Sequence, residues 1–149
     1  ELPAEGMAAV LDAGRRGADL VVVDLARHRT AAGEVALGRA TVTLLVVPAE
    51  VRATAAAGQV AQLVGAATSD LRLVVRGPGP TGLRAEAIAT SLGLPLAGEM
   101  RADPDVSAAL DRGIAPAGSG RGPLAALCQQ LLPSLVARPV LVGRPNRVP

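Results

Sequence analysis

The sequence predicts an α/β fold, a predominantly parallel β-sheet with helices on both faces. Three observations predict it. Short unbroken runs of Val and Leu recur along the chain, each followed by an acid, a proline or a glycine, as in strands buried on both faces. These runs alternate with longer segments whose apolar residues fall at helical spacing, which is the rhythm of βαβ units. Half of the 149 residues are hydrophobic and none is aromatic, so the core must be built from Val, Leu, Ile and Ala. A chain of this length suits one compact domain, and because its first residue is Glu1 rather than Met it is read as a piece of a longer protein.

The elements follow in order. Leu2 to Arg16 places Met7, Val10 and Leu11 near helical spacing, with Gly14 and Gly17 as stop signals. Asp19-Leu20-Val21-Val22-Val23-Asp24 has the pattern of a strand buried on both faces. A short helix is expected over Ala31 to Arg39 and a second buried strand over Thr41 to Val47, closed by Pro48. Glu50 to Gly65 repeats small and apolar residues at helical spacing and reads as a crossover helix, its Ala53, Ala55, Ala56, Ala57 and Gly58 allowing close packing on the sheet or on another subunit, with core packing the expected use. Leu71 to Arg76 is a third strand, Gly77 to Gly82 a loop, Leu83 to Leu92 a helix and Gly93 to Met100 a short fourth strand. Asp103-Pro104-Asp105 opens a short helix ending near Gly113, Gly118 to Gly122 is a flexible connection, and Pro123 to Val136 is a last helix. Residues 137–149 read as a Pro- and Arg-rich tail or linker with a brief strand at Val140 to Val142.

Composition removes several function classes. All fifteen basic residues are Arg and none is Lys, so there is no phosphate-loop, Schiff-base or general-base lysine. Without Phe, Tyr or Trp, the stacking platform for single-stranded nucleic acid is missing as well. The formal charge is only +2 and the arginines are scattered among thirteen carboxylates, so no clear nucleic-acid surface is expected. The single Cys128 can form neither an intramolecular disulfide nor a cysteine metal cluster and reads as a buried thiol of a cytoplasmic protein. No apolar run reaches the roughly 18 residues of a membrane span.

Four stretches carry a family resemblance. Asp19 to Arg27 resembles a Walker B strand in which the acid is followed by a Leu-Pro-Arg-like turn, and Leu44 to Ala53 is similar to the strand and helix start that come next in that family. Leu73-Val74-Val75-Arg76 with Gly82-Leu83 falls where the family has a strand usually ending in Asn-Arg. The most specific stretch runs from Ile88-Ala89 through Leu92-Gly93-Leu94-Pro95-Leu96-Ala97-Gly98-Glu99-Met100 to Asp103-Pro104-Asp105-Val106, with Ala109 and Arg112-Gly113. Together they resemble the second half of the MinD/ParA-type P-loop ATPases, in their actinobacterial CpaE-like, septum site-determining branch. The resemblance covers roughly residues 18 to 136 and implies that residues 1–136 form the C-terminal part of such a domain, a partial P-loop NTPase fold without the Walker A segment.

That resemblance implies a regulator of septum-site or of pilus and secretion-machinery positioning, cytoplasmic and at most peripheral at the inner face of the membrane or septum. It implies protein partners and a homodimer of the parent chain, with Mg-ATP as the parent's cofactor and none for this fragment alone. Asp24 takes the Walker-B-like position, where an acid at a strand's carboxyl end orients Mg²⁺ through water; the bland reading is a strand-end acid bonded to the next loop. Arg27, Pro48, Arg76, Gly77, Arg101 and Asp103 are the accompanying nucleotide or anion contacts, and no residue stands out as catalytic. Asp103 is equally an ordinary helix N-cap ahead of Pro104, and Gly77 to Gly82 equally a simple turn whose prolines remove donors. His28, between Arg27 and Arg29, lacks the nucleophile and orienting acid of a triad.

The sequence also departs from the family. Asp24-Leu25-Ala26-Arg27-His28 replaces the usual Asp-Thr-Pro-x-Gly, and no Asn stands at Val75 or Arg76 to recognise adenine. The expectation is therefore a regulator degenerate in nucleotide handling. Two alternatives stay open, the back half of an active ATPase and an anion- or small-molecule-binding α/β domain around Asp24, Pro48 and Gly77. A missing phosphate-loop strand would also leave a hydrophobic strand edge uncovered, to be met by association, swapping or rearranged strands.

Overall fold

The computed structural model describes residues 2–26, 28–79 and 82–136. Helix α1 (Ala4–Gly17) follows Pro3 and carries Glu5 in its first turn and Arg15 and Arg16 in its last, charges that complement the helix dipole. It runs through Gly14 rather than stopping there. Helix α2 (Ala31–Arg39) is capped by Thr30, whose hydroxyl accepts the Gly33 N–H at 2.9 Å. These two helices pack mainly on each other and are tied by Arg39 to Asp12 at 2.6 Å and by Arg15 to the Arg39 carbonyl at 2.9 Å.

The segment between them corrects a sequence expectation. Residues 18–26 run without helix or strand, so the buried strand predicted over Asp19 to Asp24 does not form. Leu20, Val21, Val22 and Val23 are all exposed, Val22 to 81%. The reason is physical: β-propensity measures fit to a pleated, half-buried surface, and none of the described strands hydrogen-bonds to this stretch. Val21 finds packing only against α1, where a Cβ added to Gly14 would stand 2.9 Å from its methyl group.

The sheet has three parallel strands, β1 (Thr43–Pro48), β2 (Leu71–Arg76) and β3 (Leu96–Met100), in that order. Thr43 pairs with Leu71 and Pro48 with Arg76, while the β2–β3 register shifts between Leu73 and Val74. Helices α3 (Val51–Gly65) and α4 (Ala85–Leu92) make the crossovers, and Gly93 at φ 65° ends α4 in a conformation that glycine adopts without steric cost. On one face, Val47, Leu73 and Val75 bury against Ala57 of α3 and Ala85, Ile88 and Ala89 of α4. Of the small residues of α3, Ala57 and Ala53 pack on this core, while Ala55 and Ala56 are exposed.

Alternation along β2 turns Val74 to the opposite face, in register with Gly98. There helix α6 (Pro123–Val136) approaches so closely that a Cβ on Gly98 would lie 2.6 Å from Leu127 Cδ1. Helices therefore occupy both faces, but the second is covered only toward β3. Val46, beside Val74 in register, remains 60% exposed. Helix α5 (Asp105–Asp111) and a turn-rich connection lead into α6, which directs Ala125 and Leu127 inward and leaves Cys128 exposed. The expected buried thiol is corrected accordingly. The tail expected over residues 137–149, with its strand at Val140 to Val142, lies outside the described residues.

Candidate functional site

In a parallel sheet the loops after the strands gather at the carboxyl end, the usual place for a ligand. Here three such loops are stitched together just past their strands. The Ala49 N–H donates to the Arg76 carbonyl and the Gly77 N–H to the Met100 carbonyl, each at 2.9 Å. Pro48 is half-buried and Gly77 buried, and a Cβ at Gly77 would come within 3.3 Å of both the Ala49 methyl and Glu99 Oε1. A Cβ at Gly79 would run into the Ala49 carbonyl oxygen, so this glycine lets two backbones cross. The structure thus brings Pro48, Arg76 and Gly77 to one edge, with Arg101 following β3.

Arg76 and Arg101 are exposed and carry no ion pair among the described residues, while Glu50 after β1 and Glu99 near the end of β3 are exposed as well. Guanidinium groups at strand ends can donate paired N–H bonds to an oxyanion. Among the described residues no three His, Cys, Asp or Glu side chains come together as a metal-ligand set.

Asp103 has a mainly architectural place. One carboxylate oxygen accepts the Asp105 N–H at 3.2 Å and the other the Leu124 N–H at 3.3 Å, so it holds the starts of α5 and α6 together. Its capping role extends across 21 residues of sequence, which a local motif does not reveal. Asp24 is exposed in the unpaired segment, and its carboxylate has no hydrogen bond or ion pair among the described residues. His28 is exposed beside it in sequence, and Arg27 lies outside the described residues.

Two hollows lie elsewhere. One of about 430 Å³ opens between α1 and α2, lined by Ala4, Ala8, Glu34 and Val35 among others. The second, about 550 Å³, sits at the amino ends of β2 and β3 and is lined by Asp70, Arg72, Pro95, Leu96 and Gln130. Neither includes Asp24, Pro48, Arg76, Gly77, Arg101 or Asp103. In the second hollow Arg72 makes two bonds to Asp70, at 2.9 and 2.6 Å. Hydrogen bonding from Arg72, with its charge as a smaller contribution, holds the Asp70 carboxyl below its ordinary range against the opposing effect of burial. Sequence reasoning passed over this pair, although spacing of two along a strand puts both side chains on one face.

No family model matches the chain. It is similar to proteins of Mycobacterium tuberculosis described as uncharacterized, from strains CDC 1551 / Oshkosh and H37Rv. Each is 48% identical over 113 residues, covering 76% of this chain and 32% of the relative. The chain therefore spans about a third of the length of these relatives. Among the described residues no helix is long and apolar enough to cross a membrane.

Proposed function

We propose that these residues belong to a regulatory protein of the CpaE-like, MinD/ParA type, which acts through protein contacts in positioning septum or pilus and secretion machinery and is degenerate in nucleotide handling. The observation that carries the degeneracy is the state of the Walker-B-like stretch. Asp24 stands exposed in a segment that joins no strand, followed by Leu25 and Ala26 where the family has Thr and Pro. A magnesium-orienting acid works only when a rigid strand end fixes its carboxylate opposite a phosphate cradle. Support for a contact role comes from the strand-end loops, which pack on one another where Gly79 meets the Ala49 backbone and which present exposed Arg76 and Arg101 to a partner.

The test is calorimetry with Mg-ATP and with Mg-ADP on the longer protein containing these residues. No saturable heat is expected with either nucleotide. Binding and hydrolysis that disappear in Asp24→Ala would replace this reading with that of an active ATPase. Binding of inorganic phosphate that is lost in Arg76→Ala but retained in Asp24→Ala would favour the anion-binding alternative.

A further inference from the structure

Helix α3 gives one side to the core and turns the other to solvent. Ala53 and Ala57 pack on the core, whereas Arg52, Ala55, Ala56, Gln59, Leu63 and Ala66 are all exposed. At helical spacing these six fall in one stripe about 100° wide. Leu63 is 58% exposed, and from Ala53 to Ser69 the sequence holds no charged residue. A helix side that stays in water normally carries several charges.

The one charge of this stripe stands at the wrong pole of its own helix. Arg52 lies in the first turn, where the dipole is positive, and no acidic residue of that turn offsets it. It forms no ion pair among the described residues. At the other end no basic residue lies in the last turn, and the Ala67 and Thr68 N–H groups both donate to the Val64 carbonyl. The Leu63 carbonyl is thereby left without a backbone donor among the described residues. The same helix thus offers an unpaired cation at its start and an unneutralised negative pole at its end.

We propose that a second copy of this chain packs on the stripe, its α3 antiparallel to the first about a two-fold axis at Gln59. Charge complementarity selects this occupant and this direction, because each Arg52 then meets the negative end of the partner's helix near the partner's Ala66. The two cations stay about 20 Å apart along the pair. Counting outward from Gln59, Ala55 meets the partner's Leu63, so a large side chain lies over a small one on both sides of the axis. On the axis the two Gln59 amides can each donate to and accept from the other. One helix pair about 22 Å long is smaller than a stable interface, so a weak, reversible dimer is expected, with a dissociation constant on the order of 100 μM. The inference is independent of the nucleotide reading above.

Sedimentation equilibrium of the full-length protein without nucleotide, from about 5 to about 500 μM, tests it. Wild type is expected to pass from monomer to dimer over this range. Ala55→Glu and Leu63→Arg are each expected to weaken the dimer at least about 10-fold, by setting a lone charge in the contact. The two together in one chain are expected to restore it. The introduced acid and base stand roughly 12 Å apart along their own helix and can pair only across the dimer. Arg52→Glu is expected to weaken the dimer about 10-fold while leaving the thermal midpoint of the monomer no lower, since an acid suits the first turn of α3. A wild type that stays monomeric throughout, a dimer that Arg52→Glu or both single variants leave intact, or a double variant no tighter than the singles would each overturn the proposal.

Discussion

At the scale of single residues, Asp103 shows how one carboxylate can decide the path of the chain. Its two oxygens serve the starts of two helices that neighbouring turns would otherwise leave unsatisfied. Asp103→Ala is expected to lower unfolding free energy by about 1–2 kcal/mol, measured by urea denaturation, with Asp103→Asn retaining most of it. Gly79 is decided by space instead. Gly79→Ala places a methyl group against the Ala49 carbonyl, which is backbone and cannot swing aside. A loss of about 1–3 kcal/mol is expected by the same measurement. Asp103 was legible as a cap because Asp-Pro at a helix start has few other uses, whereas its bond to Leu124 depends on where α6 docks. Cys128 was misjudged for a related reason: which side of α6 faces the sheet is set by Leu127 meeting Gly98.

Among the elements, β2 carries most of the structure. It is the central strand, and Leu73 and Val75 are fully buried between β1, β3 and the helices of one face. Leu73→Ala is expected to cost about 2–5 kcal/mol, through lost burial and the cavity left behind, and a chemical-denaturation series would measure it. The amino end of the same strand carries the Asp70–Arg72 pair, roughly a third exposed on each side chain. Its contribution is small, as for ion pairs open to water. Because the folded state holds the Asp70 carboxyl below its ordinary range, its stabilisation is present above that range and is lost as pH falls through the lowered value. Asp70→Asn should therefore lower thermal stability slightly at neutral pH, and the gap to wild type should close in acid. A gap that persists unchanged at low pH would show that the pair acts by packing rather than by charge.

For the whole molecule, the open side at β1 gives a contrast that one substitution can read. Val46 is 60% exposed, so Val46→Ser is expected to change unfolding free energy by less than about 0.5 kcal/mol, as at a surface position, and a larger loss would show that the side chain is covered. The comparison would be made by denaturation alongside Val51→Ser, on the exposed side of α3, as the surface control. By itself the sequence determined the class of fold and all nine described elements in the order expected, with the fourth expected strand and its two predecessors parallel. Local periodicity does this because helices and strands bury different residue spacings. Helix α5 followed from its Asp-Pro start. Only the tertiary structure decided that Asp19 to Asp24 stays unpaired, that the strand-end loops close on one another through Gly79, and that one side of β1 is left bare. A β-prone run becomes a strand only when another backbone presents its donors and acceptors alongside, and that neighbour cannot be read from the run itself.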